Sequence, residues 1–159
     1  MESRAAVELV ASTSTQYGGI RGDRYCELTG TYSVLRASAV RKGEREPGRQ
    51  LTMLSGDSVE TALAEAAIAP PASLGSLRRN LVLRGISAQQ LLAAQGRVVA
   101  LGQEARVFVH RNCVPCMYNE KKNGRPGLME CLWDCAGVSC EVLRGGTLRT
   151  GDPVIILGE

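Results

Sequence analysis

From Val98 onward, glycine turns cut the chain into short apolar runs, and this punctuation most restricts how it can fold. Val98 to Leu101 and Ala105 to Val109 flank Gly102, which predicts a β-hairpin. Gly145-Gly146 then turns into Thr147-Leu148-Arg149, and Gly151-Asp152 turns into Pro153 to Leu157; the two successive signals predict a closing meander. Upstream, Gln50 to Leu54 reads as a compact strand and Val7 to Ala11 as a weaker one. Helical signals are few and short. Asp57 or Ser58 caps a helix with Val59, Leu63 and Ala66 on one face, stopped by Pro70-Pro71. Ser87 caps a second through Ala94, ended by Gly96. A third, over Leu128 to Cys135, sets Cys131 and Cys135 four residues apart on one face. Strands outnumber helices, so the expected class is mainly β (α+β), a barrel with a few short peripheral helices.

One core is the default for 159 residues, a length at which roughly 70% of the unfolded surface leaves water, and residues 1–159 read as a single domain. Aromatic residues are only 4%, too few for a base-stacking platform. The net charge of +3 is mostly arginine, since Lys42, Lys121 and Lys122 are the only lysines. Scattered arginines suit local anion sites, with no stripe for nucleic acid. No apolar run approaches membrane-spanning length, and Met1 to Ala6 has no leader pattern. Six cysteines without a secretory signal suggest a reducing cytoplasm, with thiols free or on metal.

The compact group of soft ligands is Arg111-Asn112-Cys113-Val114-Pro115-Cys116-Met117. Its two thiols are spaced C-x-x-C, a proline holds the turn, and Arg111 can supply a positive field that favours thiolate. The predicted hairpin delivers the chain directly to this loop. Two other stretches offer anion sites, with solvated surface arginines as the alternative in each, and the first, taken alone, reads as a glycine turn with solvated charges. Tyr17-Gly18-Gly19-Ile20-Arg21-Gly22-Asp23-Arg24 places two arginines in a permissive glycine loop, and Leu77-Arg78-Arg79-Asn80-Leu81 sets adjacent cations and an amide at a strand entrance. Arg36 to Gly48 is polar and without period, which predicts an exposed loop, and Tyr118 to Gly127 reads as flexible. His110, the only histidine, stands at a strand end and reads as structural.

The order of motifs resembles the MOSC domain, the C-terminal domain of molybdenum cofactor sulfurases, which also occurs as small stand-alone proteins. The resemblance runs through Gly19-Ile20-Arg21-Gly22-Asp23-Arg24-Tyr25, Thr29-Gly30-Thr31-Tyr32-Ser33, Arg49-Gln50-Leu51-Thr52, Arg78-Arg79-Asn80-Leu81, Cys113-Val114-Pro115-Cys116, and Val142-Leu143-Arg144-Gly145-Gly146 through Gly151-Asp152-Pro153-Val154, over residues 17–158. It implies a β-barrel that binds a molybdenum-pterin cofactor or handles its sulfur. In the amidoxime-reducing relatives the second cysteine of the pair ligates molybdenum, which carries onto Cys116, with Cys113 as an accessory thiol. Positions that hold pterin and phosphate there are similar to Arg24, Arg78 and Asn80. Stand-alone members usually begin with a further strand before the Gly-x-x-Gly-Asp loop, and here only Val7 to Ala11 precedes it. The resemblance thus implies a barrel that is incomplete, closed by a partner, or cut short in its reading frame.

Two functions follow from the resemblance, and a third from ligand chemistry. As a molybdenum enzyme, the chain would reduce N-hydroxylated small molecules with electrons from a reductase partner, since it carries no flavin or haem motif. As a sulfur carrier, Cys116 would accept persulfide sulfur from a pyridoxal-phosphate-dependent cysteine desulfurase, that cofactor staying on the partner. Cys113 argues against carriage, because a neighbouring thiol resolves a persulfide into a disulfide. The third is structural zinc on Cys113, Cys116 and two of Cys131, Cys135 and Cys140.

Overall fold

A computed structural model describes residues 5–14, 17–23, 26–27 and 47–158. The expected motif at 29–33, the loop at 36–46, and Arg24 and Tyr25 lie outside the described residues. Among those described, the strands are β1 (Ala6–Val10), β2 (Gly19–Ile20), β3 (Leu51–Ser55), β4 (Leu81–Leu83), β5 (Val98–Leu101), β6 (Ala105–Asn112), β7 (Val138–Arg144), β8 (Gly146–Arg149) and β9 (Val154–Ile156). The α-helices are α1 (Gly56–Glu65), α2 (Ala88–Ala93), α3 (Met117–Asn123) and α4 (Leu128–Cys131). A three-stranded sheet has the order β2-β1-β8, and a six-stranded sheet has the order β4-β3-β7-β6-β5-β9. The expected class, mainly β with a few short helices, is the class observed. No described helix is long and apolar enough to cross a membrane.

The chain divides into two compact units, Met1–Leu51 with Gly96–Val109 and Cys140–Glu159, and Thr52–Gln95 with His110–Ser139. In the first, the Gly102 hairpin forms as expected, β5 pairing antiparallel with β6 from Val98↔Phe108 to Leu101↔Ala105. The meander does not form. β8 pairs with β1, Ala6 facing Arg149, and β9 pairs with β5, Val99 facing Ile156, so the turns are right but their strands take partners remote in sequence. Leu9, Val99, Leu101, Val107, Val109 and Val142 are buried here. Gln50 is buried among them with its amide satisfied: its Oε1 accepts from Val142 N at 2.9 Å and its Nε2 donates to Ser12 Oγ at 2.9 Å.

In the second unit β3, α1 and β4 form a β-α-β step, with Met53 paired parallel to Leu81 and Ser55 to Leu83. Ser55 ends the strand and also caps α1, its side chain accepting from Ser58 N at 3.1 Å, which displaces the cap expected at Asp57 or Ser58. Val59 and Leu63 face inward as expected, but Ala66 is exposed, because the helix stops at Glu65, ahead of the two prolines. Leu54, Val59, Leu63, Leu77, Leu128 and Leu132 form the apolar centre, with Cys135 among them. Ser87 caps α2 with the full reciprocal box to Gln90. The third expected helix shrinks to one turn, α4, and leaves Cys135 beyond its end.

Candidate functional site

The thiol loop, the arginine turn and the helix after Cys116 all belong to the second unit. Cys113 follows the last residue of β6, and its N–H donates to Gly137 O at 2.8 Å. Gly137 has φ +96°, and a Cβ there would strike Met53 O, so only glycine brings this carbonyl to the loop. Pro115 is buried while Val114 points outward, 67% exposed; the proline anchors the turn between the two sulfurs. Burial pushes the Cys113 thiol up, and the guanidinium groups of Arg79, hydrogen-bonded to it, and Arg111 pull it partly back. Arg79 is itself aimed by a 2.7 Å bond from Nε to Ala136 O.

Cys116 is exposed and extended, at φ −130° and ψ 151°. It occupies the cap position of α3, where its carbonyl accepts from Asn119 N at 3.1 Å, yet its side chain makes no capping bond. Among the described residues nothing hydrogen-bonds the sulfur, which is open to solvent. The residues after it, expected to be flexible, form α3. The sequence Met117-Tyr118-Asn119-Glu120-Lys121-Lys122-Asn123 has no apolar stripe, and long-range amide bonding takes its place. Asn119 is buried, and its Nδ2 donates to Leu77 O at 3.1 Å. Asn123 Nδ2 donates to Asn119 Oδ1 at 2.8 Å, and Ser76 Oγ donates to Asn123 Oδ1 at 2.7 Å. Gly124, left-handed at φ 59°, ends the helix.

The same bonds hold the turn that carries the arginines. Leu74–Leu77 is a single 3-10 turn capped by Ser73, and Arg78 closes it in the left-handed region at φ 62° and ψ 38°. An arginine there is uncommon, and such strain persists where surrounding structure fixes it. Its guanidinium lies 5.2 Å from the centre of the Tyr118 ring, an arrangement that directs the cation along α3. Asn80 turns elsewhere. Its Oδ1 accepts from Thr52 N at 2.8 Å and Thr52 Oγ1 at 3.0 Å, and its own N–H donates to Thr52 Oγ1 at 3.0 Å. That ring of bonds ties β3 to β4 and leaves the Asn80 NH2 as the part able to meet a ligand.

The structure thus links Arg78 to the helix that starts at Cys116, sets Cys113 against Arg79, and commits the Asn80 oxygen to the sheet. Sequence reasoning missed Arg79 as the partner of Cys113, together with Tyr118, Asn119 and Gly137. The available signal was the Asn119–Asn123 spacing of four, which puts two amides on one helical face. A four-thiolate zinc centre is not assembled. Among the described residues no group of three or more His, Cys, Asp or Glu is placed to hold a metal, and Cys135 is buried in the apolar centre, its thiol pushed up to about 11 by that burial. A cofactor that brings most of its own ligands needs only one soft protein donor, and the exposed Cys116 thiol fits that requirement. An open cavity of about 590 Å³, lined by Thr61, Glu65, Ser87, Cys131 and Asp134 among others, includes neither Cys113 nor Cys116.

Comparison with solved structures finds this fold in YuaD from Bacillus subtilis, 19% identical with a TM-score of 0.66 over 97% of each chain. YiiM from Geobacillus stearothermophilus is 18% identical, with a TM-score of 0.59 over 70% of this chain and 56% of that one. YiiM from Escherichia coli is 14% identical, with a TM-score of 0.61 over 100% of this chain and 65% of its own. The chain therefore spans between about half and two thirds of the YiiM proteins and nearly all of YuaD. No curated protein sequence matches it. The family model for the MOSC domain matches residues 40–155, a span that holds Arg78, Asn80, Cys113 and Cys116 and begins after Arg24. The chain belongs to the MOSC domain family.

Proposed function

We propose that the chain binds a molybdenum-pterin cofactor through the Cys116 thiolate and, so loaded, reduces N-hydroxylated small molecules. The observation that carries this reading is the exposed, uncommitted sulfur of Cys116, two residues before the ring that Arg78 covers. Cys116 ligates as thiolate and releases its proton to the solvent it faces. Among the described residues the Arg78 fork has no carboxylate partner, and it suits a cofactor phosphate. The NH2 of Asn80 offers donors to a heterocycle edge, and the resemblance adds Arg24 to the same task. Arg79 and Arg111 act instead on Cys113, a second, half-buried thiol. Bound molybdenum supplies two-electron chemistry, and the protein supplies ligation, orientation and charge. The reading requires an electron-transfer reductase as partner and suits a reducing cytoplasm.

A second reading, the sulfur carrier, gains from one observation. The Cys116 thiolate would attack the outer sulfur of a desulfurase persulfide, the desulfurase cysteine leaving as thiolate and Cys116 keeping the sulfur. An adjacent thiolate undoes this by attacking the Cys116 sulfur, forming a disulfide and expelling sulfide. Cys113, its thiol raised by burial, stays protonated at neutral pH and is slow in that reaction.

The deciding experiment measures molybdenum, zinc and oxidised-pterin fluorescence in protein from a host that makes the cofactor, with Cys116→Ala beside it. Molybdenum and pterin in equal amount, both lost in the variant, are expected. Neither metal, with a desulfurase-dependent mass gain of one sulfur on Cys116, overturns the first reading in favour of the second.

A further inference from the structure

Asn119 is bound on three sides. Its N–H reaches back to Cys116 O, its Nδ2 donates to Leu77 O, and its Oδ1 receives Asn123 Nδ2. Ser76 closes the circuit onto Asn123 at 2.7 Å. Leu77 is the residue before Arg78, and Cys116 starts the helix on which Asn119 stands. Every member of the circuit lies within one residue of the arginine turn or on the first two turns after the thiol. A buried amide with both ends satisfied is rigid, since any rotation leaves a donor or acceptor without a partner.

We infer that Asn119 is a positioning residue, which fixes the Arg78 guanidinium relative to the Cys116 sulfur through the Leu77 carbonyl and the Asn123–Ser76 pair. The inference rests on reading Arg78 as the anion-holding residue beside Cys116. In its consequence, Asn119 touches no ligand, yet its loss frees the arginine turn to move against α3 and dissolves the joint field of cation and thiol. Arg78 itself stays charged and exposed.

The test uses the reactivity of Cys116 in the full chain carrying Cys113→Ser and Cys131→Ser, which leaves it the one thiol outside the buried set. Rates are measured with dithiobisnitrobenzoate, a dianion, and with dipyridyl disulfide, which is neutral. Their ratio reports the local positive field, and a general loosening of the loop raises both rates and cancels. Arg78→Ala is expected to lower the ratio about threefold, the scale of an exposed charge pair. Asn119→Leu should lower it by the same factor, and the double variant no further. Ser76→Ala should move it in the same direction by less, and it decides the question if Asn119→Leu does not fold. A full ratio in Asn119→Leu or Ser76→Ala, with the ratio lost in Arg78→Ala, overturns the positioning role alone. An unchanged ratio in Arg78→Ala overturns the anion-holding role of Arg78, and the positioning inference with it.

Discussion

Arg78 holds a left-handed backbone at φ 62°, which costs a residue with a Cβ roughly 1–2 kcal/mol. The contact of its guanidinium with Tyr118 is exposed and returns only about 0.5 kcal/mol. Strain exceeds contact, so stability does not explain an arginine here, whereas the proposed anion-holding role would. Arg78→Gly should therefore leave the melting temperature unchanged or raise it by a few degrees, while cofactor retention falls in a salt-sensitive way. A lowered melting temperature together with unchanged retention would remove Arg78 from the site. The residues on either side show what composition alone conceals. Two adjacent arginines look alike in the sequence, but the left-handed turn sends one over a tyrosine, and the other donates to Ala136 O and faces a thiol.

Among the elements, those with local signals were legible. The Gly102 hairpin, strand β3 and the Ser87 cap of α2 each depend on residues within a few positions of one another. α3 was not legible, since its fixing bonds run from Asn119 and Asn123 to residues more than forty positions earlier. The cap of α1 was misplaced for a different reason: Ser55, Asp57 and Ser58 are all good caps, and the end of β3 decides among them. Gly137 acts at this scale as well. Its positive φ and its approach to Met53 O let its own carbonyl receive Cys113 N. Gly137→Ala should cost at least about 2 kcal/mol in denaturant unfolding, from backbone strain and the clash together. It should also quicken labelling of Cys113, whose loop loses that tie. A cost below about 0.5 kcal/mol would mean that β7 shifts to accept a methyl group.

Over the whole molecule, the class of fold could be read from short runs and turns, but the neighbours of β8 and β9 could not, because pairing across a sheet is set by non-local packing. The family was legible from six motifs taken in order, and the match over residues 40–155 spans four of them in full. The six thiols fall into a graded series that depends on the complete fold. Cys116 is exposed, Cys113 and Cys131 are partly covered, and Cys26, Cys135 and Cys140 are buried. Brief alkylation at neutral pH should mark Cys116 first, Cys131 and Cys113 more slowly, and the other three only on unfolding. Raising the pH should speed Cys113 late, because burial lifts its thiol above the ordinary range. Equal early labelling of Cys113 and Cys116 would contradict this order.

Cys116 stands where serine, threonine or asparagine would hold the first turn of α3 with about 1 kcal/mol of side-chain bonding, and its sulfur contributes none. The position is thus poorly chosen for the helix and well chosen for a reagent arriving from solvent. Selection of this chain for heat resistance alone would favour serine at 116 and yield a sturdier protein without the exposed thiol.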